Sequence, residues 1–132
     1  MHTKLLFQLS CFGIFMGIGS VFFLPTQSEP FIWLLIFMVC AYFIGKKCRE
    51  ELFLHGMMIG LLQGIVQTLF HILFYHTYST YHLDEAALIN QFGMSESPRS
   101  MMIILGLIFG MVGGIIIGIF SLVSKKLLQK NN

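Results

Sequence analysis

None of the 14 formally charged residues in this 132-residue chain falls inside any of its four long apolar runs, at 5–24, 31–45, 52–75 and 101–123. That segregation is the strongest constraint on the fold. A helix rises about 1.5 Å per residue, so about 20 apolar residues cross a hydrocarbon core roughly 30 Å thick. The first, third and fourth runs are long enough alone. The second reaches the required length when Pro30 is taken as its first helical position and Lys46 and Lys47 snorkel to the surface. The spans are therefore placed at 5–24, 30–47, 52–75 and 101–123, within one domain over 1–132. Composition closes off the alternative. With 56% hydrophobic and 11% charged residues, the chain cannot clothe a water-soluble surface, which needs about a quarter of its residues charged. The expected fold is all-α, an integral membrane four-helix bundle whose first partner is the lipid bilayer.

The basic residues orient it. Lys4, Lys46, Lys47, Arg49, Lys125, Lys126 and Lys130 lie on one side of this topology, and only Arg99 lies on the other. Lys and Arg accumulate in cytoplasmic loops, so both termini are expected in the cytoplasm. The first run continues through Val21, Phe22, Phe23 and Leu24, which reads as a span rather than a cleaved signal peptide. Cys11, Cys40 and Cys48 all fall toward the reducing side, and no structural disulfide is expected. A net charge of +2 argues against nucleic acid as a partner.

Twelve of the 13 glycines lie in the spans. Gly106, Gly110, Gly113 and Gly114 share one face of the fourth span, Gly56, Gly60 and Gly64 one face of the third, and Gly13 and Gly17, with Ser10 and Ser20, one face of the first. Lipid supplies no hydrophobic drive between helices, so association rests on close backbone approach and interhelical hydrogen bonds. The first, third and fourth spans are therefore expected to contact one another tightly. The second span, rich in Phe, Leu and Ile, is placed on the lipid-facing side.

The outer segment 76–100 is too long for a plain connection. Asp84 and Glu85 open an AALINQF run closed by Gly93, which reads as one short amphipathic surface helix, with Leu88, Ile89 and Phe92 dipping into the membrane. Ser97 and Pro98 read as cap and first position of the fourth helix. Tyr75, Tyr78 and Tyr81 fall where amphipathic rings favour the headgroup layer.

The polar residues inside lipid are Gln63, Gln67 and His71, on the glycine face of the third span. They read either as interhelical hydrogen-bonding glue or as a conduit or ligand face. The spacing of His71, His76, His82, Asp84 and Glu85 matches no standard metal pattern, and no metal is assigned. Nor is any other cofactor: haem would want histidines from two facing helices, and the other three spans contain none. Proton-coupled export would want an acid inside a span, and all six acids lie outside. No nucleotide loop, nucleophile triad or zincin motif is present, so no catalytic residue is assigned and an enzyme is not expected.

The stretches KKCREELFLHG, GMSESP and GLIFGMVGGIIIGIFSLVSKK together resemble the small four-span bacterial inner-membrane proteins grouped as a domain of unknown function. The resemblance implies a four-helix bacterial membrane architecture and brings no activity and no site residue. The expectation is a multi-pass inner-membrane protein serving as a structural or accessory subunit, with itself or another membrane protein as partner. The alternatives are a small permease or channel using the Gln63, Gln67 and His71 face, or a holin-like lesion former.

Overall fold

The computed structural model describes residues 2–91 and 97–130, the side chain of Ile89 excepted. Its described residues are all-helical: α1 (Thr3–Phe22), α2 (Glu29–Lys47), α3 (Leu52–Leu73), α4 (Tyr75–Tyr81), α5 (Leu83–Gln91) and α6 (Pro98–Lys130). Four of them, α1, α2, α3 and α6, are long and apolar enough to cross a membrane. Each of the four apolar runs lies almost wholly in one of these helices. Pro30 stands in the first turn of α2, where its missing N–H is harmless, and Lys46 and Lys47 close the last turn, where cations favour the helix dipole. Glu51, with a positive φ of 54°, turns the chain from α2 into α3. At 33 residues α6 outruns the run that announces it. It begins at Pro98 and carries the helix through Lys125, Lys126 and Lys130.

The closest packing is the antiparallel seam between α3 and α6. Here glycine is required by space: a Cβ on Gly60 would run into the backbone of Gly114, one on Gly56 into that of Gly118, and one on Gly64 would lie 2.8 Å from Gly110 Cα. Two parallel pairs flank the seam. Helix α1 lies on α3, where a Cβ on Gly13 would meet Gln63 Cα at 2.9 Å and one on Gly17 the Phe70 ring at 2.7 Å. Helix α2 lies on α6, with Phe37 seated on Gly113 and Ser124 on Gly45.

This corrects the expected order of neighbours. The second large contact of α6 is with α2, while α1 shares its large contact with α3 alone. The reason is angular. Gly106, Gly110 and Gly114 point at α3, where Thr68 faces Gly106, whereas Gly113 opens a separate notch that takes a phenyl ring from α2. Side chains from all four long helices, among them Leu9, Met16, Cys40, Ile44, Ile59 and Ile117, share one buried cluster. Outside it Phe7, Phe23, Phe31 and Phe109 are 70 to 80% exposed.

Among its described residues the outer segment holds two short helices rather than one. Helix α3 breaks at Phe74, α4 follows at once, and α5 starts next to the expected Asp84 and Glu85. Of the residues expected to dip into the membrane, Leu88 is half exposed. Phe92 and the Gly93 stop lie outside the described residues, as does the Ile89 side chain.

Candidate functional site

Gln63, Gln67 and His71 recur every four residues on α3, so they stand on one stripe of the helix. All three line a single cavity of about 660 Å³ between α2, α3 and α6, at the end of the bundle that α4 and α5 cap and that is expected to face outward. That volume lies in the range of small-molecule sites. Trp33, Phe37, Met101, Leu105 and Phe109 supply apolar walls, and Glu29, Tyr78 and Glu85 join His71 at the outer end. The glycines Gly60, Gly64, Gly106, Gly110 and Gly113 border the same space. Gly13, Gly17, Gly56 and Gly114 serve helix contacts away from it.

At the inner end Gln63 is fixed by its donors. Its Nε2 donates to the Leu9 carbonyl at 2.9 Å and to Cys40 Sγ at 3.5 Å. A carbonyl only accepts, so the amide orientation is settled. Its Oε1 is buried and has no hydrogen-bond partner among the described residues. An acceptor stripped of water in this way costs about 1–3 kcal/mol. Ser10, Thr68 and Ser121 do not help, because each hydroxyl donates to the carbonyl four residues back in its own helix.

The outer end carries a connected polar cluster. Ser20 Oγ donates to Glu29 Oε1 at 2.7 Å and lies 3.0 Å from His71 Nε2, so it accepts the His71 N–H. His82, fully buried, donates from Nε2 to the Ser20 carbonyl at 2.8 Å, while its Nδ1 meets Thr26 Oγ1. The Tyr78 ring lies between the two imidazoles, 4.1 Å from His71 and 4.4 Å from His82, with interplanar angles of 22°. Its hydroxyl donates to Glu85 Oε2. Burial, reinforced by Glu85, pushes the Tyr78 phenol up from its ordinary value, so it stays a neutral donor at physiological pH. The cluster thus ties α1, α3, α4 and α5 to the first residue of α2.

Tyr78 is therefore not the headgroup anchor that its place beside Tyr75 and Tyr81 suggests. It is buried, whereas Tyr81 is exposed and the Tyr75 ring lies under Arg99. Sequence reasoning weighed His82 and Glu85 only as metal ligands, not as members of a hydrogen-bonded site, and gave Glu29 no role. A signal existed for three of them: His71, Tyr78, His82 and Glu85 are spaced by seven, four and three residues, the one-face spacing of a helix carried on past α3. Glu29 gave none, since its meeting with Ser20 depends on how the α1–α2 connection folds. No protein-family model, curated protein or solved structure matches the chain.

Proposed function

We propose that the chain is an integral protein of a bacterial inner membrane. It crosses four times with both termini in the cytoplasm, and serves as a structural or accessory subunit rather than an enzyme. The observation that carries this reading is the pairing of four long apolar helices, whose large side chains stay exposed on their outer faces, with basic residues sorted seven to one between the two ends. Exposed Phe on every long helix is favourable only in an apolar solvent, and the sorting follows the positive-inside rule. The buried partners of such a subunit would be lipid, a second copy or another membrane protein.

A reporter fusion tests the orientation. Alkaline phosphatase fused after Asn132 should be inactive, and a cysteine introduced by Thr80→Cys should react with an impermeant maleimide in intact cells. Native Cys48 is a poor reporter, because it is buried and burial pushes its thiol up. An active fusion together with a silent Thr80→Cys would reverse the topology.

The gathering of Gln63, Gln67 and His71 on one cavity wall favours a second reading, a small permease or channel. Alanine at Gln67 and His71 separates the two. Under the accessory reading the double variant loses yield or thermal stability, by about 1–2 kcal/mol. Under the permease reading, flux through reconstituted vesicles falls at unchanged yield.

A further inference from the structure

Three features of the cavity have no use in packing. First, Glu29 and Glu85 both line its outer end, and no Lys or Arg does among the described residues; their one basic neighbour is the His82 imidazole, 3.8 Å from Glu29 Oε1 and 3.9 Å from Glu85 Oε1, so two carboxylates share a single imidazole. Arg99, the one Lys or Arg on that side, sits over the Tyr75 ring instead. Each carboxylate turns one oxygen to the protein, Glu29 Oε1 to Ser20 and Glu85 Oε2 to Tyr78. Neither Glu29 Oε2 nor Glu85 Oε1 accepts a hydrogen bond among the described residues, and Glu85 Oε1 lies 3.9 Å from His82 Nδ1. Second, at the inner end Gln63 is 1% exposed and its Oε1 is an acceptor without a donor. Third, Leu34 and Phe109 line the cavity while remaining 46% and 70% exposed, so its mouth lies on the flank between α2 and α6.

Gln63 and His71 are eight residues apart on one helix, about 12 Å along its axis. We propose that the cavity binds an elongated apolar molecule with a cationic amine at one end and an O–H or N–H donor about 12 Å away at the other. The amine sits between Glu29 and Glu85, the apolar body lies against Trp33, Phe37 and Phe109, and the donor reaches Gln63 Oε1 once the carboxamide turns toward the cavity, since that oxygen is closed off in this structure. The ligand enters sideways through the flank between α2 and α6, a route that rests on the membrane reading above.

Trp33 is the sole tryptophan of the chain and lines the cavity, so its fluorescence reports on occupancy directly. The full chain in zwitterionic nanodiscs is titrated with three probes: an aminodecanol with amine and hydroxyl at opposite ends, decylamine and decanol. The aminodecanol should bind tightest, decylamine about fivefold weaker for want of the inner donor, and decanol at least about tenfold weaker for want of the charge. Gln63→Leu should bring the aminodecanol down to decylamine and leave decylamine unchanged. Glu85→Gln should weaken both amines about tenfold and spare decanol. Three probes binding alike to wild type would overturn the proposal and mark the space as a pocket for any lipid chain; this ranking decides the matter even where a variant fails to fold. Gln63→Leu weakening both amines equally would also overturn it. Before titration, membranes are washed at alkaline pH. A chain released by the wash would overturn the membrane reading and the binding proposal with it, whereas a retained chain with a flat ranking overturns the binding proposal alone.

Discussion

Gly60→Leu should destabilise the protein by at least about 3 kcal/mol, read as a collapse of its thermal midpoint in detergent and of its yield from membranes. A Cβ at this position already overlaps the backbone of Gly114, and backbone cannot step aside as a flexible side chain can. Inserting atoms into a filled core costs typically about 1–3 kcal/mol, more when no neighbour yields. Here the two helices must separate along a seam whose other close approaches, Gly56 on Gly118 and Gly64 on Gly110, would loosen with it. Gly19→Ala is the matched control. Its added methyl would meet only the flexible end of Leu24, at 3.1 Å, and should change stability by no more than about 0.5 kcal/mol. Equal losses in the two variants would mean that glycine matters here for helix behaviour in general and not for the seam.

The second large effect is expected at His82. His82→Ala should cost about 2–4 kcal/mol, because it removes hydrogen bonds to Thr26 and the Ser20 carbonyl, leaves that carbonyl buried and unpaired, and empties one side of the Tyr78 ring. The loss should be local. Amide hydrogen exchange should rise across α4 and α5, which His82 joins to α1, while the α3–α6 seam keeps its protection. His76→Ala removes an exposed imidazole from the same segment and should leave both exchange and midpoint within about 0.5 kcal/mol of wild type. Uniform exchange across the whole chain in His82→Ala would show instead that the outer cluster and the seam unfold as one unit.

The long helices were legible because each is announced by a continuous apolar run and punctuated by Pro30, the Lys46–Lys47 pair and Pro98. Helix α4 was not. Its sequence, YHTYSTY, consists mostly of aromatic and β-branched residues with weak helical preference, and only its burial against α1 and the stack on Tyr78 hold it helical. The pairing of α2 with α6 was hidden for a different reason. Its close approaches are Phe37 on Gly113 and Ser124 on Gly45, and none of these residues stands out from the others of its type. In the site, the α3 stripe of Gln63, Gln67 and His71 could be read because it is local in sequence. Glu29 and Ser20 meet across a turn, and which carboxylate finds which hydroxyl is decided by tertiary geometry.

The order of neighbours bears on how the chain is built. Helices α1 and α2 are joined by a short turn yet pack little on each other; α1 rests on α3, and α2 rests on α6. While a ribosome is still making the chain, the α1–α2 pair therefore has little mutual interface to hold it. Helix α2 waits for residues synthesised more than fifty positions later, so α6 completes the contacts of two earlier helices, α2 and α3, at once. Such long sequence separations slow closure. Until α6 arrives, the glycine face of α3 stands open to whatever lipid or neighbouring helix reaches it first.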